Sequence, residues 1–171
     1  MTELETAIAD NRAAVDEFIA TARGIDARTW TTPRAEGQWS PGQIVEHVAI
    51  VYEYSRAVVM GSAGTGLPRL LRPLLRMFVV DRTLKAGRFT RKGKAPSIFQ
   101  PSATPAPEAD LIARLNTAVT GFEAAIRSGH PAGRHTLTHP FFGTMPTIDY
   151  VRLQAIHARH HRAQLPGGSS L

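Results

Sequence analysis

The sequence predicts an all-α fold: four main helices packed as a bundle, with a further helix inserted between the second and third. Three observations carry this reading. Apolar residues recur at spacings of three and four in each main segment, helix start and stop signals bound those segments, and no stretch keeps up the alternation of a strand. At 171 residues the chain, 1–171, has the size of one domain and can bury a core without a disulfide or a structural metal.

The first helix is expected over residues 2–22, where Leu4, Ile8, Val15, Phe18, Ile19 and Ala22 share a face and Thr2 with Glu5 has the form of a capping box. Gly24 and the polar stretch to Gly37 close it. Ser40-Pro41-Gly42-Gln43 then supplies an N-cap, a proline at the first helical position and a glutamine at the third, and starts a second helix that runs to about residue 60. The inserted helix is expected over 67–86, with Leu70, Leu71, Leu74, Leu75 and Phe78 on one side, Arg69, Arg72 and Arg76 on another, and a kink or restart at Pro73. A polar, proline-rich stretch from Lys85 to Pro107 reads as an irregular connection. The third main helix, 107–128, places Leu111, Leu115, Ala118, Val119, Phe122 and Ile126 inward. After a loop rich in His, Pro and Gly, the fourth spans about 147–164 and stops at Pro166-Gly167-Gly168.

Composition narrows the function. The chain has no cysteine, so thiolate catalysis by its own side chains and zinc-finger ligation are excluded, and any thiol must come from outside. A net charge of +6 suits an anionic partner of some kind. Aromatic residues make up only 7% and do not interleave with basic ones, so no nucleic-acid partner is expected. The apolar run in 67–86 is too short and too interrupted by arginine to be a transmembrane segment. Acids near the start, in place of a basic region and an apolar run, lead us to expect a cytoplasmic protein.

The residues that can carry chemistry are histidines. On the last helix His157 and His161 lie at i and i+4, one turn apart on one face, while His160 points about 100° away from His161. The core stripe Tyr150, Leu153, His157, Gln164 turns His157 inward, where an unpaired imidazole costs free energy. On the second helix His47 sits amid Ile44, Val48, Val51 and Tyr54, a face expected to turn to the bundle centre. Three neutral imidazoles with open positions beside them suit zinc, nickel or iron(II) and an acidified water or thiol. The competing reading is a set of hydrogen-bonded core histidines.

Two stretches together, WSPGQIVEHVAIVYEY and HPFFGTMPTIDYVRLQAIHARHHRAQL, resemble the DinB-like (DinB/YfiT-like) superfamily of bacterial metal-binding four-helix bundles, in which a Trp-Ser-Pro helix start precedes a histidine and the final helix carries H-x3-H-x2-Q. The resemblance implies an up-down-down-up bundle, often a homodimer, with a metal at one end of the core held by His47, His157 and His161. It also implies, for some branches, enzymes that use a low-molecular-weight thiol as cosubstrate. The region 67–99 is longer and more basic than the connection of a minimal bundle of this kind.

The expected function is therefore that of a metal-dependent enzyme, a thiol S-transferase or hydrolase in type, whose divalent metal ion activates a thiol or water for attack on a small-molecule substrate. The alternative is a non-enzymatic metal- or ligand-binding bundle that meets a partner or a membrane surface through its basic 67–94 region. There Arg69, Arg72, Arg76, Arg82, Lys85, Arg88, Arg91, Lys92 and Lys94 face one acid, Asp81. His130, His135 and His139 share the loop before the last helix and are expected to be solvated, with His139 the best anchored. His160 is expected beside the site without binding the ion, and Trp39 as a core plug.

Overall fold

The computed structural model of the chain describes residues 1–63, 68–90, 94–129 and 135–168. Among them are four long helices: α1 (Glu3–Ala22), α3 (Pro41–Val59), α6 (Glu108–Gly129) and α7 (Thr147–Arg162), with a short α2 (Ala27–Thr31) between the first two. The apolar positions expected of α1 and α6 are all buried, because a 3.6-residue period turns them to one side. In α3 the buried stripe is rotated from the expected one. Val45, Val48, Ala49 and Tyr52 form its centre, while Val51 and Tyr54 lie at the margin.

Side-chain pairings fix the directions of the helices. Arg152 meets Glu3, Arg159 meets Asp10 and Arg162 meets Glu17, so α7 runs parallel to α1. Arg12 meets Glu123 and Arg127 meets Glu5, so α6 runs against α1. Arg114 reaches Glu46 and Glu53, while Arg56 packs on Gly121, so α6 runs with α3. The order is up-down-down-up. Its centre is closed by Phe18, Tyr52, Phe122 and Tyr150, and the Tyr52 hydroxyl donates to the buried Asn11 Oδ1 at 2.6 Å.

Three elements depart from expectation. α2 falls in the polar stretch read as closing the first helix: Asp26 caps it by accepting from the Arg28 and Thr29 amides, and it buries Trp30. The inserted helix is broken into a 3-10 turn at Arg69–Leu71, α4 (Arg72–Leu75), a π-helical stretch Arg76–Asp81 and α5 (Arg82–Ala86). Pro73 sits in the first turn of α4 and restarts the helix there, where its missing N–H is not needed. The loop before α7 contains an antiparallel hairpin of β1 (Thr136–His139) and β2 (Gly143–Pro146), with Thr138 opposite Thr144 and Gly143 in the left-handed region at φ 74°. Four-residue strands are too short for alternation to stand out in sequence, yet His139 and Met145 both turn inward.

Candidate metal centre

The site begins with the start of α3. Ser40 Oγ accepts from the Gln43 amide at 3.3 Å and Gln43 Oε1 accepts from the Ser40 amide at 3.0 Å, a full capping box with Pro41 at the first helical position. Gln43 Nε2 also donates to the Ser102 carbonyl at 3.0 Å, and Glu46 accepts from the Ser102 amide and hydroxyl at 3.0 and 2.7 Å. These bonds strap the connection before α6 across the first two turns of α3. The strap sets the Phe99 carbonyl 2.7 Å from His47 Nδ1, which must donate to it. His47 Nε2 is thereby left with its lone pair, facing into the bundle.

α7 runs antiparallel to α3 and brings the other two rings. His47 Nε2 and His157 Nε2 are 3.3 Å apart, and one ligand atom from each of His47, His157 and His161 lies within 4.8 Å of the others. Two nitrogens held about 2.0–2.1 Å from one tetrahedral zinc would stand about 3.4 Å apart, so the pair fits a shared ion. His161 Nδ1 donates to Gln164 Oε1 at 3.2 Å, which frees its Nε2 lone pair as well. His157 turns Nε2 toward His47, while its Nδ1 is closed off from solvent without a hydrogen-bond partner among the described residues.

Electrostatics favour the neutral, metal-ready rings. Burial lowers the pKa of His47, and burial followed by the neighbouring imidazoles holds His157 and His161 well below the ordinary imidazole range. The cluster contains no carboxylate. Its rim is aromatic: Trp39 lies 4.7 Å from His47 between ring centroids, and Phe89 lies 5.1 Å from His160 and 6.1 Å from His157. Trp39 is thus half-buried at the edge of the site, and Trp30 is the core plug.

The sequence model of the DinB superfamily matches residues 10–165. The chain belongs to that superfamily. No curated protein matches it. Its fold is similar to that in the crystal structure of TT2238, described as a four-helix bundle protein, with a TM-score of 0.58 at 22% identity over 92% of this chain and 94% of that one. At that identity the likeness speaks to the fold.

Within this DinB-superfamily bundle the remaining histidines sort by their bonds. His160 is half-buried, and its Nε2 accepts from Gln164 Nε2 at 2.8 Å, so that nitrogen is occupied and the ring stands beside the cluster. Gln164 therefore holds His161 with its oxygen and His160 with its nitrogen, a role its place in a sequence motif did not define. His139 is not solvated as expected. It is 4% exposed, stacks on Phe142 at 4.5 Å and accepts from the Phe141 and Phe142 amides through Nδ1. It takes no part in the cluster. His135 is exposed before β1, and His130, Arg91 and Lys92 lie outside the described residues. The Phe99 carbonyl and the Phe89 ring left no signal in the sequence, since each reaches the site across a long chain separation. A cavity of about 230 Å³ lined by Val58, Ile126, Leu137 and Thr147 lies at the other end of the bundle, and none of the described residues that line it is titratable.

Proposed function

We propose that this DinB-superfamily chain is a metal-dependent enzyme in which His47, His157 and His161 hold one divalent ion, zinc, nickel or iron, and in which a low-molecular-weight thiol or water attacks an electrophilic small molecule. One observation carries the reading: three neutral imidazoles, those of His47 and His161 buried and that of His157 half-buried, converge from two antiparallel helices with no acid among them. A bound divalent ion would supply the acidification of the nucleophile and leave positions open for it.

The chain's own groups set the rest. The Phe99 carbonyl and Gln164 fix the tautomers of His47 and His161, so their lone pairs need no rearrangement. Trp39 and Phe89 narrow the approach and favour an apolar electrophile over bulk water. The absence of cysteine makes any reacting thiol a cosubstrate, and the exposed Lys85 and Arg88 near Phe89 can attract an acidic one. The test is turnover of a panel of electrophiles by the metal-loaded protein, with and without small thiols. Thiol-dependent consumption lost in His157→Ala supports transfer, and thiol-independent hydrolysis lost in the same variant supports the water branch. Metal binding with no turnover in either series would leave a non-enzymatic metal-binding bundle.

A further inference from the structure

The broken helical segment between α3 and α6 presents its apolar side outward. Leu70 is 86% exposed, and Leu71, Leu74, Met77 and Phe78 are between 43% and 53% exposed, whereas the other large exposed apolar side chains among the described residues are Met1, Met60 and Ile98. Val80 and Thr83 are buried on the other side, and α5 packs against α7, which anchors the segment. A surface helix of a water-soluble bundle is expected to show the reverse polarity, and five neighbouring apolar side chains form the kind of patch that marks a contact surface.

Charge decides what the patch meets. Arg82, Lys85 and Arg88 are exposed in the same segment, and Arg82 lies 5.6 Å over the Phe78 ring. The one acid of the segment, Asp81, is already paired with Arg76 at 3.5 Å. A two-fold contact between copies would bring two sets of these cations into one interface. An apolar strip accompanied by long cationic side chains matches the boundary between acyl chains and anionic headgroups.

We propose that residues 70–88 dock this chain on an anionic phospholipid surface, with Leu70, Leu74, Met77 and Phe78 entering the acyl boundary and Arg82, Lys85 and Arg88 meeting the headgroups. The proposal stands on this face alone and does not depend on the metal reading. It is tested by co-sedimentation of the full chain with vesicles of phosphatidylcholine alone and of phosphatidylcholine with phosphatidylglycerol. The expected result is partition onto the anionic vesicles, weakened about tenfold or more by Arg82→Gln/Lys85→Gln/Arg88→Gln and by Leu74→Ser/Met77→Ser. Phe78→Trp adds an emission component that moves to the blue with anionic vesicles. No partition, equal partition of the variants, or an emission unmoved by vesicles would overturn the proposal. So would a concentration-dependent dimer, seen by sedimentation velocity without vesicle binding and dissolved by Leu74→Ser/Met77→Ser, since a second copy would then cover the face. All substituted side chains are exposed, and matching thermal melts separate loss of docking from loss of fold.

Discussion

Replacing Gln164 by leucine should weaken metal binding without touching a proposed ligand. In the structure Gln164 Oε1 accepts from His161 Nδ1 at 3.2 Å while Gln164 Nε2 donates to His160 Nε2 at 2.8 Å. Leucine keeps the bulk but leaves the His161 N–H, on a ring only 7% exposed, without an acceptor. An orphaned buried donor costs about 1–3 kcal/mol. Loss of such an outer partner lowers metal affinity about 10–100-fold, or about 1.4–2.7 kcal/mol, so the two estimates agree. The assay is competition for zinc against a chromophoric chelator at fixed pH. Gln164→Glu is the control: its carboxylate still accepts from His161 Nδ1 and should hold affinity at or above that of the parent chain. Equal affinity of the leucine variant and the parent would refute the view that Gln164 orients a ligand.

Tyr52→Phe should cost about 1–3 kcal/mol, or about 2–4 °C of melting temperature per kcal/mol, by orphaning the buried Asn11 Oδ1; Asn11→Leu in the same chain should recover part of it in a double-mutant cycle. Gly42→Ala should destabilise by about 1–3 kcal/mol in thermal melts, because its Cβ would stand 2.6 Å from Trp30 Nε1 and 2.8 Å from the Pro105 ring. Burial, then the charge of Arg72, lowers the His139 pKa from 6.5 to about 4. Unfolding lets this ring take up a proton, so its contribution is whole above about pH 6.5 and is lost as pH falls through about 4, up to about 3 kcal/mol in all. His139→Asn, which keeps an acceptor for the Phe141 and Phe142 amides, should flatten that acid limb in urea titrations from pH 7 to 4; an unchanged slope would count against the assignment.

What the sequence made legible follows from where the information resides. α1 and α6 were readable because their apolar positions repeat on one face and tertiary packing agrees with that pattern. The start of α3 was readable from Ser40, Pro41 and Gln43, whose local chemistry specifies a cap whatever lies around it. The pairing of His157 with His161 follows from helical spacing, and their meeting with His47 is found in the structure as expected. The Phe99 carbonyl on His47 was not readable: a backbone acceptor 52 residues away has no residue code. The hairpin around His139 escaped because its strands are only four residues long, and α2 because five residues give no period. The leucines of 70–78 share a side by periodicity, but periodicity alone does not say whether a side faces core or solvent, and here Leu70, Leu71 and Leu74 face out while Leu75 is half-buried.

Metal content bears most directly on the central claim that His47, His157 and His161 form one ion site. The parent chain and His47→Ala, His157→Ala and His161→Ala, purified without chelators and then loaded with zinc, are to be compared by elemental analysis with protein quantified in parallel. The account predicts about one ion per parent chain, retention in a His160→Ala control, and metal lost or loosely held in each of the three ligand variants. A parent chain without metal that also takes up none on titration, or equal metal in the parent and His161→Ala, would contradict it.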